Sequence, residues 1–398
     1  MKLLQVNTVA LGGSIPSYMA AIHREALLRG WTSVMAKGRR ADPDGVDCIQ
    51  IGSPLDTAVH GLATRIFDRH GLHGRHATER FIGRVEEFDP DIIHLHNIHG
   101  YYLHYPTLFR WLRDSGRPVV WSMHDCWAFT GHCAYYRNVG VDCHKWRTHC
   151  SGCPLTSTSP KAMIDRSRRN FDDKVSAFTS VPQLRILPVS RWLDGELAQS
   201  ALSAVPRTVV SLDVDIDTFS PCAPKSPARV LGVTNVWTPL KGLDFFYRLR
   251  EQLDPSVEIR LVGTLKGRVP DGITYVGRTD SRRALACEYS AATILVNPTH
   301  ADTFPQNNRE ALACGTPLVS RDIFGAVEGL CGPGSPVFAA MSDDGLLAHV
   351  RRCLADYSGP AAMQDASAAA RRVAESLYGG APNMMRLFEV YRRAAMAR

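Results

Sequence analysis

Two carboxylates bracket the run Asp302-Thr-Phe-Pro-Gln-Asn-Asn-Arg-Glu310, which Ala-Leu-Ala-Cys-Gly315-Thr-Pro317 then closes. The pattern predicts a short helix with Thr303 as its cap, Gln306 as the capping-box partner, Pro305 in the first turn, and Gly315 with Pro317 as the stop. Backbone N–H groups at such a start, with the dipole behind them, suit a phosphate held along Thr303, Phe304 and Pro305. Asp302 before the helix and Glu310 along it can each accept from hydroxyls flanking that phosphate. A capped surface helix after the buried strand Ile294–Pro298 would show the same pattern.

Four further groups stand just after predicted strands, where a parallel sheet places its ligands. Lys241-Gly242 follows Val230–Thr234 through a Trp-Thr-Pro turn and offers a point charge to a diphosphate, unless it is an ordinary exposed lysine. Gly12-Gly13-Ser14 follows the first strand and allows close backbone approach of a phosphate or sugar. It falls short of the full G-x-G-x-x-G fingerprint, so a tight turn remains the alternative to a ligand cradle and a nicotinamide cofactor is not supported. His124-Asp125 follows Val119–Met123, putting an imidazole at a strand tip for a sugar or its phosphate, or for a purely structural hydrogen bond. In Asp91-Ile-Ile-His94-Leu-His96-Asn97, strand alternation sets His94 and His96 on one face. His96 and Asn97 are then candidates for acceptor recognition, with packing as the alternative.

Cys133, Cys143, Cys150 and Cys153 form a compact set among eleven cysteines. Four thiols closed by a Cys-x2-Cys pair fit a structural tetrahedral zinc site, with His132, His144 or His149 able to replace a cysteine. Four small buried thiols are the alternative. No catalytic metal is expected.

The chain that must position these groups has 398 residues, 45% hydrophobic and 21% charged, enough for about two domains with full cores. A formal charge of +7 spread among Asp and Glu favours anionic substrates weakly, and no aromatic-basic motif indicates nucleic acid. The first ten residues read as a strand rather than a leader, because Gln5, Asn7 and Thr8 interrupt the apolar run. No apolar run approaches the roughly 20 residues that cross a bilayer. A cytoplasmic location is expected; basic and aromatic residues around 101–111 and 161–169 suit peripheral contact at the inner membrane face, and a solvated helix face explains them equally well.

Short β-rich runs alternate with helical patterns twice, as in doubly wound parallel sheets. The α/β organisation predicted is a first Rossmann-like domain over 1–205 with a Cys/His-rich insertion near 126–154, and a linker over 206–227. A second Rossmann-like domain follows over 228–380, then a closing helix over 381–398 that returns to the first. The Ala/Arg-rich run Met363–Ala374 reads as an exposed helix.

These motifs together resemble the retaining GT-B glycosyltransferases of the GT4 type, and within them the colanic-acid-type exopolysaccharide enzymes. The resemblance rests on Gly12-Gly13, Ile93-His94-Leu-His96-Asn97, and Trp121-Ser-Met-His124-Asp125-Cys-Trp127 running on through Cys133 to Cys150-Ser-Gly-Cys153-Pro154. It extends to Val214–Pro221, Lys241-Gly242 and Asp302–Pro317. It implies the GT-B fold, two facing Rossmann-like domains binding acceptor and donor, and transfer of a hexose from a nucleotide-diphosphate sugar to a polysaccharide or lipid-linked saccharide with retention. Glu310 would be the second acid of the family's E-x7-E motif, holding the ribose. Asp302 would take the first-acid position, Lys241 and Thr303–Pro305 the diphosphate, and His124 a place beside the reacting sugar. Asp302 stands where the family usually has Glu, and Asn235, Val236 and Trp237 stand where it often has an arginine. These departures leave a second reading, a zinc-stabilised sugar-nucleotide-binding protein of the same fold without catalysis.

Overall fold

In this computed structural model, described for residues 1–267 and 269–396, the chain forms two compact units. One is Met1–Ser211 joined by the segment from Met384; the other is Leu212–Asn383. The strands of the first unit are β1 (Lys2–Val9), β2 (Thr32–Arg39), β3 (Cys48–Gln50), β4 (Ile92–Leu95), β5 (Val119–Met123), the two-residue hairpin strands β6 (Arg137–Asn138) and β7 (Val141–Asp142), and β8 (Leu184–Pro188). Six of them make a sheet in the order β3-β2-β1-β4-β5-β8, every neighbouring pair parallel. Buried on both faces, β4 and β5 carry no exposed residue, as parallel strands covered by helices require.

The second unit repeats the plan with β9 (Arg229–Val236), β10 (Glu258–Thr264), β11 (Ile273–Gly277), β12 (Ile294–Asn297), β13 (Leu318–Arg321) and β14 (Val337–Ala340). Its order, β11-β10-β9-β12-β13-β14, is again fully parallel. In each sheet the chain reverses direction across the sheet between the first strand and the fourth. The carboxyl ends of β1 and β4, and of β9 and β12, are therefore the switch points at which such sheets take ligands.

The closing helix, Pro382–Met396, turns Met384, Leu387, Phe388, Val390 and Tyr391 inward. Phe388 packs on Trp31 with ring centroids 5.0 Å apart, and Tyr391 Oη meets His94 Nδ1 at 2.5 Å. Leu387, Phe388 and Tyr391 are fully buried, each stabilising the dock by roughly 1.5–3 kcal/mol.

The structure departs from the sequence reading in two elements. The run Met363–Ala374 is not an exposed helix. It lies in Pro360–Tyr378, whose Met363, Ala366, Ala370, Ala374 and Tyr378 are buried. Small alanines let this helix approach the core closely, and Arg371 Nη1 ties it down by donating to the carbonyls of Ile216, Phe219 and Ala313. The stretch after Pro206 is not bare linker either. Thr208 N–H donates to the Ile186 carbonyl at 3.1 Å, and Val210, Leu212, Val214 and Phe219 are all buried.

Candidate functional site

Lys241 and Asp302 meet at the switch point of the second sheet. Lys241 ends a 3₁₀ turn, Pro239–Lys241, that follows β9, and Asp302 follows β12. Gly242 closes the approach: its φ is +74°, and a Cβ there would lie 2.5 Å from the Pro298 carbonyl oxygen. Only glycine lets the β9 turn sit against the loop after β12. The result is an ion pair, Lys241 Nζ to Asp302 Oδ2 at 2.8 Å, with both side chains about one quarter exposed (27% and 22%) and so open to a ligand. Asp302 Oδ1 meanwhile accepts from the Phe304 N–H at 3.2 Å, which fixes the carboxylate against the loop.

The helix after that loop spans Gln306–Ala313, and here the expected cap is corrected. Pro305 occupies the cap position and makes no side-chain cap hydrogen bond, and Gln306 does not close a capping box. Thr303 lies too far upstream, in a loop that Pro305 holds extended (φ −65°, ψ 114°). Within the first turn Asn307 Oδ1 accepts from the Asn308 N–H at 3.0 Å, while the cap position, a proline, supplies no side-chain oxygen to compete with an incoming anion.

Residues that the sequence reading passed over anchor this helix. Asn307 Nδ2 donates to the Val233 carbonyl of β9 at 2.8 Å, and Asn308 Oδ1 accepts from Asn297 Nδ2 of β12 at 2.7 Å. Asn308 Nδ2 reaches Ser320 of β13. Arg309 is fully buried, its guanidinium 3.4 Å from the Phe304 ring centroid, and donates to the carbonyls of Pro305, Gly325 and Glu328. Two amides and one guanidinium between two spaced carboxylates were the available signal.

Glu310 stands one turn further along, partly buried, with Oε2 accepting from Tyr289 Oη at 3.0 Å. Desolvation pushes its carboxyl up to about 7, against the Tyr289 hydrogen bond and the Arg282 charge.

At the switch point of the first sheet, Gly12 and Gly13 have φ of +80° and +102°. Gly13 starts the helix Ser14–Leu28 with no side-chain cap. Arg40 lies alongside: a Cβ on Gly12 would sit 3.2 Å from Arg40 Nη1. His124 follows β5 and is 9% exposed, with burial pulling it down to about 4, so it is neutral near pH 7. Its neighbour Asp125 pairs with His99 at 2.8 Å and accepts from the Trp127 N–H. Burial alone would raise Asp125; the His99 charge and these hydrogen bonds hold it below the usual carboxylate range.

His96 is corrected: it reaches no surface. It is fully buried, between Gln5 Oε1 at 3.4 Å and His124 Nε2 at 3.3 Å. Strand alternation did put His94 and His96 on one face, ring centroids 4.0 Å apart, but that face is core. Asn97 is partly exposed, and its carbonyl accepts from Thr8 and Tyr102.

Cys133, Cys143, Cys150 and Cys153 line one small cavity together with Lys145 and Trp146. The histidines considered as replacement ligands are engaged with acids: His132 with Asp68 at 2.6 Å, His144 with Asp142 at 3.1 Å, and His149 with Asp172 at 2.8 Å. Backbone N–H groups of Gly131 and Leu155 point at the sulfurs of Cys150 (3.2 Å) and Cys153 (3.4 Å). Burial raises the Cys133 and Cys150 thiols and pushes Cys153 up to about 11. Among the described residues no three His, Cys, Asp or Glu side chains are already arranged as a metal centre.

Comparison with known proteins accords with this fold. Residues 227–356 match the family of Glycosyl transferases group 1. The chain is similar to WcaC of Escherichia coli K12, named for glycosyl transfer in colanic acid biosynthesis, at 24% identity over 80% of this chain and 83% of WcaC. Among solved structures, sucrose-phosphate synthase from Thermosynechococcus elongatus superposes with a TM-score of 0.75 at 16% identity, covering 100% of both chains. Anabaena HepE, solved in complex with UDP-glucose, does so with a TM-score of 0.63 at 14% identity, again over 100% of both. The chain has the GT-B fold, and residues 227–356 of its second unit are similar to the group 1 glycosyl transferases.

Proposed function

We propose that this protein transfers a hexose from a nucleoside-diphosphate sugar to a saccharide or lipid-linked saccharide, with retention at the anomeric carbon. The observation that carries the reading is the Lys241–Asp302 pair at 2.8 Å, set at the β9/β12 switch point beside an uncapped helix start. Lys241 and the first-turn amides take the charge that builds on the departing diphosphate, which stabilises the transition state more than the ground state. Asp302 orients Lys241 and accepts from sugar hydroxyls, and Glu310 accepts from the ribose. The bond from the anomeric carbon to the diphosphate oxygen breaks while the bond to the acceptor oxygen forms on the same face. The acceptor proton passes to the departing phosphate oxygen, so no carboxylate nucleophile is needed. WcaC supports a growing polysaccharide as acceptor, and the complex of HepE with UDP-glucose supports a uridine nucleotide on the donor. No helix among the described residues is long and apolar enough to cross a membrane; we place the protein in the cytoplasm, with peripheral contact at the inner membrane face.

Thermal-shift screening against UDP- and GDP-sugars, followed by a transfer assay, tests this. Glu310→Ala should abolish donor turnover while the fold survives, and undiminished transfer by that variant refutes the site. Donor binding without turnover by the wild type would return the non-catalytic reading, which no feature of the geometry favours.

The cysteine cavity is proposed as a structural zinc site in the same protein. Shared lining by four cysteines supports it by offering a full tetrahedral sulfur set, and the two N–H groups aimed at sulfur ease thiolate formation once a cation displaces the protons. Metal analysis of the purified protein should give one zinc per chain, lost in Cys150→Ser; a metal-free, equally stable wild type overturns it.

A further inference from the structure

Gln5, His94 and His96 are polar side chains with no exposed surface, set into parallel strands where apolar residues would pack at less cost. Their hydrogen bonds fix the protons of one another from a single anchored point. Gln5 Nε2 donates to the Met19 carbonyl at 3.1 Å, and a carbonyl accepts only, so the amide cannot be flipped. Gln5 Oε1 therefore faces His96 Nε2. An amide oxygen also accepts only, which places the His96 proton on Nε2. Desolvation holds His96 well below its ordinary 6.5, so the ring is neutral and Nδ1 keeps a lone pair. That lone pair faces His124 Nε2 at 3.3 Å. The two rings have centroids 5.5 Å apart and planes inclined by 18°, close to the in-plane approach of an imidazole N–H···N bond. The shared proton must then be on His124 Nε2. His94, held between Tyr391 Oη and Ser122 Oγ, covers one side of the His96 ring and keeps its plane.

We infer that Gln5 and His96 are positioning residues that lock His124 in its Nε2–H tautomer, so that Nδ1 serves as a hydrogen-bond acceptor. The inference rests on the place beside the reacting sugar that the resemblance implies for His124 and narrows it: in this tautomer Nδ1 is able to accept from a hydroxyl and unable to donate to a phosphate oxygen. It also explains why three buried polar side chains line up behind one strand tip.

Long-range ¹H–¹⁵N correlation spectra of protein labelled at histidine nitrogens read the tautomers directly, with His124 assigned by its loss in His124→Asn. The wild type should show His96 and His124 both protonated on Nε2. Gln5→Met removes the accepting oxygen at nearly constant volume; it should leave His124 in mixed tautomers and lower kcat about tenfold while KM for the nucleotide sugar changes less than about twofold. A wild-type His124 protonated on Nδ1 overturns the inference, as does Gln5→Met leaving the tautomer of His124 unaltered. Should Gln5→Met not fold, the wild-type spectrum decides. Nε2–H in the wild type together with no transfer to any acceptor would uphold the relay and refute the transferase reading.

Discussion

The two units share one strand order, yet their switch points are furnished differently. The second sheet meets its ligand edge with charge: Lys241 against Asp302, buried Arg309 under Phe304, and Glu310 one turn on. The first sets neutral His124 after β5, hydrogen-bonded to buried His96 and through it to Gln5, with buried His94 packed on the His96 ring and bonded to Ser122 and Tyr391. Fixed charge is suited to a leaving diphosphate, whose own charge repays the desolvation of a lysine. Neutral rings in a low-dielectric core are suited to hydroxyls, which a rigid acceptor can orient without attracting anions. One topology therefore carries two sets of side chains, and the difference lies in which residues follow its strands: Lys241 after β9 and Asp302 after β12 in the second sheet, His124 after β5 in the first.

Acid should separate the units most. His60, His94 and His124 sit in the first unit with pKa values lowered by burial to about 3, about 3 and about 4, from an ordinary 6.5. For a base depressed on folding, the unfolded chain binds more protons below 6.5. The stabilisation is therefore complete above 6.5 and is lost as pH falls toward the folded values, by roughly 2 kcal/mol per imidazole at pH 5. Hydrogen exchange at pH 7 and pH 5, corrected for intrinsic rates, should show β4 and β5 losing protection well before β12 and β13. Equal loss in both units would erase the contrast.

Lys241→Met tests the charged edge. It should cut kcat/KM about 10²–10³-fold, about 3–4 kcal/mol, as expected when a group serves charge that develops in the transition state. A loss confined to KM would make Lys241 a ground-state anchor only. Gly242→Ala acts on the same edge through geometry. Its positive φ and the Pro298 oxygen 2.5 Å from the new Cβ should cost about 2–3 kcal/mol in denaturant unfolding. An unchanged midpoint would show that the β9 turn need not sit where it does.

Much of this was legible in the sequence because it follows from local rules. Alternating strand and helix patterns announced both sheets, and the positions just after strands located Gly12, Gly13, His124, Lys241 and Asp302. The capped start at Thr303 was misread because Pro305 fits either the first turn or the cap itself, and only the extended loop decides. His96 was misread because alternation tells which residues share a face, not whether that face is core. Arg309 and Asn308 were invisible because their partners lie on β12, β13 and the loop after β13, which no local pattern reveals. Met363–Ala374 looked exposed for a related reason: alanine is apolar enough to bury and small enough to leave no strong periodic signal.

The smallest expected effect runs opposite in sign to the acid response of the first unit. Glu310 has its carboxyl raised by desolvation to about 7 from an ordinary 4.5. For an acid raised on folding, the native state binds more protons between those values. Its stabilisation is whole below 4.5 and is lost as pH climbs through 7, so the second unit should gain at this site where the first loses. Glu310→Gln keeps an acceptor near Tyr289 Oη and removes the charge. It should therefore flatten the slope of stability against pH between about 5 and 8 and raise stability at pH 8 by about 1 kcal/mol, measured by urea unfolding without ligand. The same variant should bind a nucleotide sugar more weakly, since an amide accepts less strongly from ribose hydroxyls than a carboxylate does. A protein stabilised at pH 8 yet weakened for donor is the signature of a carboxylate kept for binding at the expense of the fold. If Glu310→Gln leaves the pH slope unchanged, the carboxyl is already ionised at ordinary values and the desolvation assigned to it is wrong.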